Sequence, residues 1–443
     1  MTSEPRRDIP PEIPATGNFR FVPPEKTVTP CGVPVYVIPG EKHEMVRIDM
    51  LFGCGAYNQE KALQASSASV IASEATRRYS SARMSEIVDY YGGWLQRSVY
   101  MHATQYTLYV PRRNYGRLLP VFMEIFSAPR FSRRDFSLYK GRGKEEYRQL
   151  YERVDFLAAR SLRKQLYGEH PYGNTATAGD FDNLTVALLR EYHEKYCRRN
   201  NCTAVVSGCI DDKVFWQTAE ALAALPEPDN GETGETALFP SETGTRFTHD
   251  EKDDAMQCSV RIGSRIEKDN MDEYILLGIV NTVLGGYFGS RLMTNIREEK
   301  GYTYGIGSGI TALRYAASLN IAAQCDLKYA SLLIKEVMAE VERLKEIPIK
   351  DDELKSVRQY ILGDMNRIFD NRFTLADACI ALLINGQPFD YLNRKATAVC
   401  SITPGQIMET ARKYLCPGRM HIAVAGGSRQ YGAKLRADVG PQG

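Results

Sequence analysis

Parts of this chain occur twice. Asn114 to Leu119 reads NYGRLL, and Lys328 to Leu333 reads KYASLL. Arg153 to Phe156 is echoed by Asp370 to Phe373, and Thr203 to Gly208 by His421 to Gly426. Gln257 to Ile262 matches the strand pattern around Arg47. Each echo falls roughly 214–218 residues after its first copy, far longer than a solenoid unit of about 20–50 residues. A period of this length means duplicated domains. At 443 residues the chain is long enough for two full-sized cores.

The elements inside each copy are of mixed type. Val46 to Leu51 alternates like a strand with one buried face, and Pro34 marks a strand start or an edge strand. Trp94 to Val99 and Thr104 to Val110 read as a hairpin. Helical stretches are expected at 62–75, 81–91, 115–127, 132–153, 156–166 and 183–196. Strand pairs mixed with long helices and few βαβ units indicate α+β domains with mostly antiparallel sheets. Two such halves joined by a linker imply a clamshell with a cleft between them, a favoured ligand position. The expected layout is a flexible N-terminal arm over 1–25, a first domain over 26–225, a linker over 226–245 and a second domain over 246–443. The arm is rich in proline and charge, and the linker in Gly, Pro, Ser and Thr.

Composition removes several function classes. The net charge is only +2 with 25% charged residues, so neither nucleic acid nor a membrane is an expected partner. No stretch approaches the roughly 20 apolar residues of a membrane-spanning helix, and the first residues lack the apolar core of a secretory signal. The ten cysteines are scattered with no CxxC pair, which reads as reduced thiols and a cytoplasmic protein. No Ser-His-Asp, Cys-His or phosphate-loop pattern is present.

The most chemically loaded stretch is Leu284 to Gly309, LGGYFGSRLMTNIREEKGYTYGIGSG. Gly285, Gly286 and Gly289 open a close-approach loop. A short helix is expected from about Ser290 to Lys300, with Ser290 as its cap and Gly301 as its stop. A strand follows from about Tyr302. Arg297 in the last helical turn is explained by the helix dipole alone, worth about 0.3–1 kcal/mol. Tyr304 is equally explained by core packing. The functional alternative is a grip on an extended peptide. The Arg fork would take peptide carbonyls or a carboxylate, and the Tyr hydroxyl would donate to a carbonyl oxygen.

From residue 30 to 428 the chain resembles the insulysin, pitrilysin and mitochondrial-processing-peptidase group of metallopeptidases. The resemblance rests on the repeat, on Ser80-Ser81-Ala82 followed by a helix and Gly92-Gly93, and on Glu169-His170-Pro171-Tyr172-Gly173. It rests above all on the glycine loop, helix, Arg297 and Tyr304 in that order. It implies that Arg297 and Tyr304, with Gly285, Gly286 and Gly289, contact substrate. Tyr287 departs from the small residue common at its place.

The family's chemistry needs an inverted His-x-x-Glu-His motif, whose two His bind Zn²⁺ and whose Glu activates a water. The resemblance places this motif at 66–70, where the chain reads Ser66-Ser67-Ala68-Ser69-Val70. Ser66 and Val70 replace the two ligands and Ser69 replaces the base. Glu145 and Glu146, near the third ligand position, read as a charged helix face. The six histidines offer no substitute, because no two lie within four residues. His102 reads as a polar strand residue, and His193, close to Cys197, sits on a helix expected to pack away from the cleft.

No catalytic residue and no cofactor are therefore expected in this chain, which is predicted inactive alone. The resemblance implies a non-catalytic subunit that binds peptide and completes the site of a zinc-bearing homologous partner, as a heterodimer. Self-association is the other expected mode of pairing. A structural subunit of a larger assembly, without a role in proteolysis, is the alternative.

Overall fold

The structure is a computed structural model that describes residues 19–40, 44–227, 240, 244–267 and 270–439. Strands β1 (Glu25–Val28), β2 (Pro34–Pro39), β3 (Met45–Phe52), β4 (Trp94–Val99), β5 (Thr104–Pro111) and β6 (Cys202–Gly208) build one sheet. Its order is β1-β2-β6-β3-β5-β4. Strands β7 (Phe247–Asp250), β8 (Gln257–Ile266), β9 (Thr303–Ala312), β10 (Ala317–Asp326) and β11 (His421–Ala425) build the other, in the order β7-β11-β8-β10-β9. Without β1 the two orders coincide. Each sheet is mixed, with one parallel pair (β2 with β6, β7 with β11) beside antiparallel neighbours. Echoed segments such as Cys202–Gly208 and His421–Ala425 occupy equivalent central places. Pro34 opens β2, where its missing N–H costs least. Among the described residues no helix is long and apolar enough to cross a membrane.

Alternation along β3 sends Val46, Ile48, Met50 and Phe52 into the first core. On β8 it sends Cys258, Val260 and Ile262 into the second. The expectation that the other face of β3 meets solvent is corrected: Arg47 and Asp49 are 2% and 0% exposed. The cause is an exchange of helices. The Arg372–Ile384 helix of the second half packs on β2 and β6, and the Val154–Tyr167 helix of the first half packs on β8 and β11. Each half thus covers the second face of the other's sheet. Leu51, Val205, Ala376 and Ile380 make one shared cluster, and Leu162, Leu166 and Ala423 contribute to another.

The expected open cleft between the halves is therefore largely filled. What remains there is a cavity of about 710 Å³. The Pro171–Gly173 turn adds a further tie. The Tyr172 hydroxyl accepts from the Tyr315 backbone N–H at 3.1 Å and lies 2.6 Å from His102 Nε2.

The expected arm is packed where it is described. Phe21 is 2% exposed, and its backbone N–H and C=O both bond the Asn393 side chain at 2.8 Å. Residues 1–18 and most of the expected linker, 228–239 and 241–243, lie outside the described residues.

Candidate functional site

The Leu284–Gly309 stretch forms a ridge at the edge of the second sheet. The Met271–Asn281 helix is capped by Asn270, whose Oδ1 accepts from the Asp272 and Glu273 N–H groups. It continues into a π-helical turn over Thr282–Gly286. A second π-helical run covers Met293–Glu299, where a regular α-helix was expected. Such turns insert an extra residue per turn and often accompany functional sites. Gly301 stops this run at φ 63°, a left-handed conformation suited to glycine. The side-chain oxygen of Ser290, the expected cap, is buried without a hydrogen-bond partner.

Why the segment holds its shape is clear from its contacts. Arg291 pairs with both carboxylate oxygens of Glu353, at 2.8 and 3.0 Å. Asn295 donates to Glu340 at 2.6 Å, and Lys300 pairs with Glu336. Leu292 and Ile296 are fully buried. Tyr287 stacks on Tyr360 with ring centres 4.9 Å apart, so this departure from the family pattern serves packing. Gly285 is buried against β9: a Cβ there would meet Ser308 Oγ at 2.6 Å and Ser308 N at 2.8 Å. A Cβ on Gly286 would approach Asn281 at 3.2 Å, and one on Gly289 the Tyr287 ring at 2.9 Å. Gly285 is required by the fold of the loop itself, while Gly286 and Gly289 are closely approached.

Two side chains are left out of this anchoring. Tyr304 projects from the edge strand β9 and is 92% exposed. Core packing, the structural explanation for a strand tyrosine, does not apply to it. The Arg297 guanidinium lies 5.7 Å from the Tyr304 ring centre and 4.8 Å from that of Phe288. Arg297 has no hydrogen bond or ion pair within the described residues. Arg297 does lie in the last turn of the π-helical run, where a cation is favoured by the helix dipole. Phe288, 64% exposed, was not singled out from the sequence. The signal was a second aromatic beside Tyr287, but sequence spacing does not tell which of two neighbours turns outward.

The expected metal position lies on the Gln64–Glu74 helix. Its first residue follows Leu63, held at φ 68°. That is a strained conformation for a leucine, worth about 1–3 kcal/mol. Ser66 donates to the Leu63 carbonyl at 3.1 Å, and Ser67 donates to the Tyr139 hydroxyl at 3.2 Å. Burial raises the Tyr139 pKa. Ser69 is buried and Val70 half-buried. Glu145 and Glu146 are exposed, and Glu145 pairs with Arg148 at 3.1 Å. His102 is buried among Tyr57, Tyr172 and Tyr315. His193 is buried with its Nε2 3.2 Å from the Phe126 carbonyl, and burial pushes its pKa down to about 4. Among the described residues no group of three or more His, Cys, Asp or Glu side chains is placed to hold a metal ion.

A family model described as the peptidase M16 inactive domain matches residues 183–361, a span that includes the glycine loop, Arg297 and Tyr304. The chain is 24% identical over 293 residues to the uncharacterized zinc protease YmxG of Bacillus subtilis, covering 66% of this chain and 70% of that one. Over residues 183–361 the chain is similar to the M16 peptidase family. It is also 25% identical over 253 residues to a protein of Helicobacter pylori named a non-peptidase homolog, covering 54% of this chain and 56% of that one. The fold is that of a peptidase M16 inactive domain from Pseudomonas fluorescens, with a TM-score of 0.84 at 22% identity over 91% of this chain and 98% of that one. A chain from complex III2 of Candida albicans has the same fold, with a TM-score of 0.71 at 13% identity over 93% of this chain and 99% of that one.

Zinc is the metal this likeness implies, and the residues of this chain do not fit it. A serine hydroxyl bonded to its own helix and a valine cannot replace two imidazoles. The nearest carboxylates, Glu145 and Glu146, are exposed on another helix. No metal-dependent step is derived for this chain.

Proposed function

We propose that this chain is a non-catalytic subunit that holds an extended peptide and completes the active site of a zinc-bearing homologous partner. The observation that carries the reading is a division of parts. The metal positions hold Ser66, Ser69 and Val70, while Arg297 and Tyr304 stand free and adjacent on a rigidly anchored edge. A guanidinium between two exposed rings offers a fork for peptide carbonyls, and the phenol beside it offers a donor. The glycine loop of Gly285, Gly286 and Gly289 keeps the approach to this pair low. Since the chain's own halves interlock, the open clamshell would form between two chains, with this ridge facing the partner's metal.

The test is reconstitution. The chain is co-expressed with an M16 chain that carries an intact His-x-x-Glu-His motif, and zinc content and peptide cleavage are measured. Activity is expected only in the mixture, with one zinc assigned to the partner. Arg297→Ala is expected to lower cleavage by about ten-fold or more. Stoichiometric zinc and cleavage by the purified chain alone would refute the proposal. A stable complex with such a chain, indifferent to Arg297→Ala and without cleavage, would favour the assembly-subunit alternative. The likeness in fold to a complex III2 chain supports that alternative.

A further inference from the structure

Each half carries an arginine on the face of its central strand that the other half covers, and the two are surrounded differently. Arg47 on β3 stands opposite Ser207 on β6, and Arg261 on β8 stands opposite Ala423 on β11. Arg47 is neutralised twice, by Asp49 at 2.7 Å and by Asp377 of the exchanged Arg372–Ile384 helix at 2.7 Å. By the strand registers Arg261 itself stands where Asp49 stands in the first half: Asp49 is opposite Val205, and Arg261 is opposite Ala423, the echo of Val205. Where Asp377 stands, counting from the matching Phe373 and Phe156, the Val154–Tyr167 helix has Arg160. The second half therefore has no acid on β8 beside Arg261, and an arginine where the helix covering the first sheet carries Asp377.

Arg261 has no hydrogen bond or ion pair within the described residues, and its Nε is buried. The acid that influences it, Asp155, is itself paired with Arg153 at 2.8 Å. Burial lowers the Arg261 pKa, as expected for a desolvated cation without a counter-ion.

Arg261 lines the cavity of about 710 Å³ between the halves, within the size range of small-molecule sites. Tyr167 lines it too and is 5% exposed; its buried hydroxyl sits near Ser318 without a well-formed hydrogen bond. Arg163 adds a second cation at the exposed rim. Leu166, Leu313 and Ile384 form apolar walls. Asp377, a carboxylate on the lining, is held by Arg47.

We infer that this cavity binds a carboxylate carried on an apolar body, with its oxygens on Arg261 and its tail between the two halves. The ligand supplies the counter-ion that Arg261 lacks. Because it touches both halves, it ties them together when bound. The carboxylate could come from a free aliphatic acid or from the C-terminus of a short apolar peptide.

Calorimetry and thermal unfolding of the full chain test this, with decanoate, decanol and an apolar tripeptide in its free-acid and amide forms as probes. Decanoate is expected to bind and raise the melting temperature, while decanol, with the same tail, does not. Arg261→Gln is expected to weaken decanoate by about ten-fold or more, in line with loss of a charge-assisted fork. Ala381→Trp at the exposed rim, which obstructs the tail without touching the charge, is expected to weaken it as well. Tripeptide acid that competes while its amide does not identifies a peptide C-terminus as the source; decanoate binding without tripeptide competition identifies a free acid. Failure of both carboxylates to bind at millimolar concentration overturns the inference. So does equal binding of decanol, or affinity unchanged in both variants.

Discussion

Arg297 holds its guanidinium 5.7 Å from the ring centre of Tyr304, and the tyrosine is almost wholly exposed at the free edge of β9. An exposed cation–π contact is worth only about 0.5–1 kcal/mol. Apart from the Phe288 ring 4.8 Å from Arg297, neither side chain has another partner among the described residues, so the fold loses little without them. Arg297→Ala and Tyr304→Ala are each expected to change unfolding free energy by about 0.5 kcal/mol or less. Peptide affinity in the reconstituted pair should fall by about ten-fold or more in the same variants. Denaturant unfolding and a peptide-binding titration separate the two roles. A large loss of stability in either variant would return these residues to a structural role.

The glycine loop responds the other way. Gly285 has no room for a methyl group, because Ser308 backbone and side-chain atoms occupy it. Gly285→Ala must push β9 away or distort the π-helical turn, and a loss of about 1–3 kcal/mol is expected. Gly301→Ala, with open space but φ 63°, should cost about 1 kcal/mol from backbone strain alone. Urea denaturation midpoints at constant slope would check both values.

Asp49 is fully buried and is the hub of the first half's polar cluster. It accepts from Arg47 at 3.0 Å, Gln105 at 2.8 Å and Thr107 at 2.6 Å. Asp49→Ala leaves Arg47 buried with only the exposed Asp377 to neutralise it. A destabilisation of about 3–5 kcal/mol is expected. Replacing both Arg47 and Asp49 by apolar residues of similar volume should cost less than Asp49→Ala alone. A double-mutant cycle on unfolding free energy measures the difference.

His193 makes stability depend on pH. Its folded pKa is about 4, below the ordinary value of 6.5, because burial disfavours the imidazolium. Between these values the unfolded chain binds the extra proton and the folded chain does not. The contribution is fully present above about pH 6.5 and is lost as pH falls toward 4. Full titration corresponds to roughly 3 kcal/mol. His193→Phe should flatten this part of the stability profile, measured by denaturant unfolding at a series of pH values. An unchanged slope between pH 6.5 and 4 would exclude His193 as its source.

Much of the chain was legible in advance wherever the signal is local. Two-residue alternation located β3, and the helices expected at 81–91 and 132–153 are present at Ser81–Tyr90 and Arg133–Tyr151. The glycine–helix–Arg–Tyr order placed Arg297 and Tyr304 on one short segment. What failed was anything that depends on a distant partner. The solvent-facing side assigned to β3 is buried because a helix some 330 residues later lies on it. Phe288 and Tyr287 are neighbours in sequence, yet only the stacking of Tyr360 decides which one turns inward.

The sequence by itself determined the internal echoes, the α+β character and the lack of histidine over 66–70, since folding cannot create an imidazole where Ser66 and Val70 stand. The tertiary structure alone decided the exchange of helices, the burial of Arg47 with Asp49 and the isolation of Arg261 beside a cavity. It also decided that Tyr304 faces solvent. The reason is physical. Periodicity records which side of an element is apolar, but the environment of a charge is set by whatever packs against it from elsewhere in the chain.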